Sequence, residues 1–137
     1  MLYNLGMECL FCNFAKVDKD CFKVWEDDLF IAFLDINPIN PGHTLVVPKK
    51  HYADVFEMDE STYNKIFEAA RFLSTKMKSA FEAPRVGLVI EGFGVEHVHI
   101  HLVPIYNGNE LNPERAKEAS VEELQHSQAK LISAIQA

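Results

Sequence analysis

No stretch of the chain approaches the roughly twenty consecutive apolar residues that a membrane-crossing helix needs, and the N-terminal part has no basic segment followed by an apolar run. A membrane is therefore not an expected partner, and no export leader is read. Cysteine is scarce too: Cys9, Cys12 and Cys21 are the only three. Three thiols without an export signal argue against a disulfide framework, leaving metal binding, redox chemistry or burial for each, and a reducing cytoplasm as the expected setting. Basic charge is in deficit, with 13 Lys and Arg against 20 Asp and Glu and a net charge of -7. No basic cluster exceeds the Lys49-Lys50 pair, so nucleic-acid backbone binding is excluded from the expected functions. Internal repeats, low-complexity tracts and linkers are also missing. With 137 residues, 48% of them hydrophobic, the chain reads as one domain over residues 1–137 that must carry its chemistry on a single scaffold.

What is present is a series of short periodic runs. After a short segment around Cys9 to Phe14, the runs Phe22 to Glu26 and Leu29 to Asp35 are rich in aromatic and β-branched residues and are split by Asp27-Asp28, as in a hairpin. The stretch from Asn37 to Gly42 holds two prolines and a glycine, which predicts an irregular turn before a third strand at Thr44 to Val47. From an N-cap at Asp59 or Ser61, the apolar residues Tyr63, Ile66, Phe67, Ala70, Leu73 and Met77 recur at helical spacing up to about Phe81. Two more strands follow, Val86 to Ile90 and Val98 to Val103, joined through Gly92-Phe93-Gly94. A tail helix opens at Ser120, which forms a capping box with Glu123. This order lacks the strand-helix alternation of a parallel sheet, so the expected class is α+β with one antiparallel sheet of about five strands.

The densest chemical signal is His97-Val98-His99-Ile100-His101. On a strand, period two puts the three imidazoles on one face and Val98, Ile100 and Leu102 on the other. Three readings fit that pattern: a solvated polar face, a metal site sharing an ion between rings, and phosphorus chemistry by neutral imidazole, which is a competent nucleophile near neutral pH. Spacing alone does not choose among them. His126, in the polar tail helix, reads as an ordinary surface residue.

The run His97-Val98-His99-Ile100-His101-Leu102-Val103 resembles the signature of the histidine triad family, His and hydrophobic residues alternating, over its whole length. Further likeness lies in Cys9-Leu10-Phe11-Cys12, in Ala32 to Pro38 and in Gly42 to His51, in the family's order. The resemblance implies an antiparallel sheet with flanking helices, assembled as a homodimer. It also implies a nucleotidyl hydrolase or transferase in which His99 attacks the α-phosphorus of a nucleoside phosphoramidate or dinucleoside polyphosphate, giving a covalent nucleotidyl-histidine. His101 and His43 match histidines that reach the phosphate oxygens, and Asp35 matches a carboxylate that accepts bonds from ribose. Leu10, Phe11, Phe14, Phe33 and Ile36 match the base pocket, for which the family implies a purine. The hydrolysis itself calls for no metal.

Cys9 and Cys12 have a gap that suits one metal ion, although two unrelated thiols or a redox pair have the same spacing. Zinc-bearing relatives complete four ligands at positions that match His51 and His97, and such a closed set implies a structural Zn2+. Cys21 is left without a role. The chain departs from the family just before the triad, where many relatives carry an amide and a hydroxyl residue and, on the preceding strand, an asparagine. Here stand Phe93 and Gly94, with Glu91 near the asparagine's place. The Gly94 backbone N–H can still serve an oxyanion, but a carboxylate near the phosphates repels a polyanion. Slow catalysis or an unusual substrate follows, and three functions stay open: the hydrolase, a nucleotide-binding or partner-binding module of decayed chemistry, and a histidine-based metal hydrolase.

Overall fold

Five short runs of β-formers give five strands in the computed structural model, which describes residues 9–16 and 21–137. They are β1 (Lys23–Glu26), β2 (Phe30–Leu34), β3 (Thr44–Pro48), β4 (Arg85–Val89) and β5 (Ile100–Ile105). All pair antiparallel in one sheet of order β1-β2-β3-β5-β4. The helices are α1 (Leu10–Lys16), α2 (Glu60–Ala80) and α3 (Val121–Gln136). The α+β class with one five-stranded antiparallel sheet is as expected, and none of the described helices is long and apolar enough to cross a membrane.

Every residue of β2 and β3 is buried, because the middle of the sheet is covered on both faces. On one face Ala32, Leu34, Val46, Ile100 and Leu102 pack against Ile66, Ala70, Leu73 and Met77 of α2. On the other, Ile31, Phe33, Leu45 and Val47 pack with Cys9, Phe11 and Val95. The first layer is the larger core; the second is the floor of the site described below.

Helix ends follow local chemistry. Asp59, not Ser61, caps α2: its carboxylate accepts the Thr62 N–H and the Tyr52 hydroxyl, at 3.1 and 2.8 Å. The capping box of α3 is present, with Glu123 N–H to Ser120 Oγ at 3.1 Å and Ser120 N–H to Glu123 Oε1 at 2.8 Å. Two elements depart from expectation. Residues 10–16 form a helix rather than an unassigned segment. And β5 begins at Ile100, so His97 and His99 precede the sheet ladder: the Val98 N–H turns to the Tyr52 carbonyl at 2.8 Å instead of a strand partner. The alternation nonetheless survives, since Val98, Ile100 and Leu102 all join the α2 side.

The turn before β3 requires a glycine. Gly42 has φ +94°, and a Cβ there would stand 2.7 Å from the buried Phe81 ring. Gly42→Ala is expected to destabilise the fold by about 2 kcal/mol or more, through the left-handed backbone and the clash together. Urea unfolding of the two proteins measures the difference; equal midpoints would refute this account of the turn.

Candidate active site and metal centre

Three imidazoles in a row differ because each is held by a different partner. His97 is fully buried, and its Nε2 lies 2.7 Å from the Pro48 carbonyl. A carbonyl only accepts, so the ring proton sits on Nε2 and the lone pair on Nδ1. Nδ1 faces Cys9 Sγ at 3.3 Å, Cys12 Sγ at 3.4 Å and His51 Nδ1 at 3.2 Å, while Cys12 Sγ and His51 Nδ1 are 3.4 Å apart. The four donor atoms lie within 4.8 Å of one another. A tetrahedral ion with bonds of about 2.3 Å to sulfur and about 2.0 Å to nitrogen would separate its ligands by about 3.3 Å between nitrogens to about 3.8 Å between sulfurs. The cluster fits that spacing, and burial pushes the His97 pKa down to about 4, which keeps its lone pair available at neutral pH.

His99 is also buried. Its Nδ1–H donates to the His97 carbonyl at 2.7 Å, so the lone pair is on Nε2, which makes no hydrogen bond to any described residue. The edge of the Phe11 ring packs against His99, with centroids 5.1 Å apart. The outcome is a rigid neutral imidazole with one open nitrogen.

His101, on β5, is linked to His43 at the start of β3. The Ile39 N–H donates to His43 Nδ1 at 3.0 Å, placing the His43 proton on Nε2. That proton faces His101 Nδ1 at 2.9 Å, and the His101 proton is left on its own Nε2. Asp35 stands at the end of β2, with Oδ1 accepting the Asn37 N–H at 2.8 Å and Oδ2 3.6 Å from His43 Nε2. Asp35, His43 and His101 are also close enough to share a cation, but in the neutral form of His43 the nitrogen facing the group carries a proton. That trio is one lone pair short of a metal site.

A cavity of roughly 410 Å³ joins these groups. Leu10, Phe11 and Phe14 from α1, with Phe33, Asp35, Ile36 and Gly94, line it together with His99 and His101. Phe11 and Phe14 both meet Phe33 edge-on, at 5.4 and 5.1 Å between centroids, giving an aromatic slot of the kind a flat heterocycle fills. The residues singled out from sequence therefore converge, except that His43 lies behind His101 and opens to a neighbouring cavity. Sequence reading missed Cys21, Phe22, Asn37 and Leu45 as lining residues; no chemical pattern marks them.

Burial lowers the His43 pKa from 6.5 to about 4, with the Asp35 charge opposing and His101 reinforcing the shift. At intermediate pH the unfolded chain binds a proton that the folded chain refuses. Stability from His43 is thus complete above pH 6.5 and lost as the pH falls toward 4. Unfolding free energy should drop over that window by about 3 kcal/mol from this residue alone, and His43→Gln should flatten the slope. Denaturant titrations at several pH values decide it; an unchanged slope in the variant would sink the assignment.

Residues 16–108 match the HIT domain family. An uncharacterized HIT-like protein of Borreliella burgdorferi is 34% identical over 132 residues, covering 84% of this chain and 95% of that one. An adenosine 5'-monophosphoramidase of Schizosaccharomyces pombe is 36% identical over 104 residues, covering 72% and 74%. Among solved structures, a zinc-bound histidine triad family protein of Mycobacterium smegmatis superposes with a TM-score of 0.82 at 27% identity, covering 95% of this chain and 94% of that one. The row of histidines, the antiparallel sheet that carries it and these matches agree: this chain belongs to the HIT domain family, the histidine triad proteins.

Proposed function

We propose that the protein is a nucleotidyl hydrolase or transferase that uses His99 as its nucleophile on the α-phosphorus of a purine nucleotide. The observation that carries this reading is the 2.7 Å bond from His99 Nδ1–H to the His97 carbonyl, which leaves a lone pair on Nε2 at the mouth of the aromatic cavity. The base occupies the slot between Phe11, Phe14, Phe33, Leu10 and Ile36, and Asp35 accepts from the ribose hydroxyls. His99 Nε2 forms a bond to phosphorus while the bond to the leaving group breaks. The cation so formed is steadied by the same carbonyl, and His101 Nε2–H, oriented by His43, donates to the phosphate oxygens as charge builds there. Gly94 N–H serves the same charge. Water then cleaves the nucleotidyl-histidine and restores the ring.

Cys9, Cys12, His51 and His97 would hold a structural Zn2+, which closes all four positions and supplies folding energy rather than a reaction step. A homodimer continuing the sheet across the β4 edge, where Leu88 is exposed, fits the resemblance; light scattering on the purified chain should give twice its mass.

Purified protein is expected to release AMP from adenosine 5'-phosphoramidate. His99→Ala should reduce that rate by roughly a thousandfold or more, and His101→Asn by roughly a hundredfold. Equal rates for wild type and His99→Ala would reject the nucleophile, and AMP binding without turnover would favour a nucleotide-binding module. Elemental analysis should find about one zinc per chain, with Cys9→Ser losing both metal and thermal stability. Less than about half an equivalent in the wild type would count against the ligand set.

A further inference from the structure

We propose that Glu91 makes the protein selective for substrates whose departing group is an amine bearing a second, positively charged nitrogen, and unfavourable to polyphosphate leaving groups. The inference rests on the phosphorus chemistry proposed above and names the class of substrate that chemistry would act on.

Two cavities meet the nucleoside cavity at a histidine of the site, and Glu91 lines both. One, of roughly 390 Å³, meets it at His99 and is bordered by Asp54, Glu57, Glu91 and Glu96. Among the described residues, neither lysine nor arginine lines it. The other, of roughly 310 Å³, meets the nucleoside cavity at Asp35 and His101 and is walled by Ile39, Val89, Val103 and Leu111. With a base in the aromatic slot and phosphorus on His99, the described cavities that reach His99 or His101 and can take the departing group are these two. Whichever it takes, the group passes Glu91.

The charge reaches the site: burial and then His99 lower the His101 pKa, and Asp35, followed by Glu91, oppose them. His99 is itself a second pointer to a ligand: the residue is 95% buried, being 5% exposed, its Nε2 makes no hydrogen bond to a described residue, and the residue lines both the nucleoside and the acidic cavity. A polyphosphate departing here would bring several negative charges against four carboxylates, a costly arrangement. A protonated amine meets the opposite field, and the apolar wall of the second cavity suits an alkyl spacer.

The chemistry balances without a further reagent. As the His99–phosphorus bond forms, the phosphorus–nitrogen pair moves onto the departing nitrogen, which takes a proton from solvent and leaves as a neutral amine, while His101 keeps its Nε2–H on the phosphate oxygens. Water then cleaves the nucleotidyl-histidine and returns a proton to solvent, so one water is consumed overall. The second ammonium group is untouched and acts as the recognition element.

The test compares kcat/KM for three substrates: adenosine 5'-phosphoramidates of 1,3-diaminopropane and of n-butylamine, and diadenosine tetraphosphate. The diamine substrate should be favoured over the butylamine one by about fivefold or more, the scale of one opposite charge at contact distance in a solvated site. The preference should shrink at high salt. Glu91→Gln should bring the ratio close to one and raise relative activity on diadenosine tetraphosphate. Glu91 is exposed, so the variant keeps the fold, which its melting temperature verifies. A wild-type ratio near one, or a ratio unchanged in Glu91→Gln, overturns the proposal. Turnover of unsubstituted adenosine 5'-phosphoramidate separates the two levels: AMP release without charge preference defeats only the role of Glu91. No AMP release from any substrate defeats the nucleophile reading and this inference with it.

Discussion

The hydrogen bond from His97 Nε2 to the Pro48 carbonyl fixes more of this molecule than any other polar contact. By settling where the His97 proton sits, it turns Nδ1 toward Cys9, Cys12 and His51. By holding the ring at the end of β3, it also positions the His97 backbone carbonyl that receives the His99 proton. One residue thus joins the metal-ligand cluster to the open nitrogen of its neighbour, through its side chain on one side and its main chain on the other. Two roles that a sequence motif presents as separate letters share one mechanical support.

Burying histidines is costly unless each ring nitrogen has a use. Here His97, His99 and His43 are all buried, and each has a ring nitrogen bonded to the main chain, with the Nε2 of His99 left open. The partners come mostly from main chain: Pro48 and His97 carbonyls and the Ile39 N–H. Backbone groups cannot titrate or rotate away, so the tautomers they impose persist over a wide pH range. The chain segment after β5 closes this side of the molecule. Tyr106 donates to the Phe81 carbonyl, Arg115 to Asn40, and Leu111 rests where only a glycine, Gly87, leaves room.

Much of the scaffold was legible because its signals are periodic. The apolar spacing through α2, the Ser120 and Glu123 box and the alternation across His97 to His101 each depend on neighbouring residues alone. The start of β5 was misread by two residues because its limit is set by a tertiary bond, Val98 N–H to Tyr52, that no local pattern encodes. The helix α1 was left unassigned because seven residues give too little period to distinguish a helix from a loop, although Leu10, Phe11 and Phe14 do stand at helical spacing. Likewise, the contact of His43 with Ile39 arises when a proline-rich turn folds back on itself. From the residues alone His43 carried no pattern; only the family likeness marked it.

That short helix carries a consequence of its own. Cys9 and Cys12 lie on the same turn as Leu10 and Phe11, with Phe14 one turn further along, so the sulfur atoms and the wall of the aromatic slot are parts of one rigid body. An ion that secured the thiols would also hold the slot in place, and by linkage a guest in the slot would tighten the thiols by the same factor. Ligand affinity and metal affinity would then be two readings of a single equilibrium, the seating of these seven residues on the sheet.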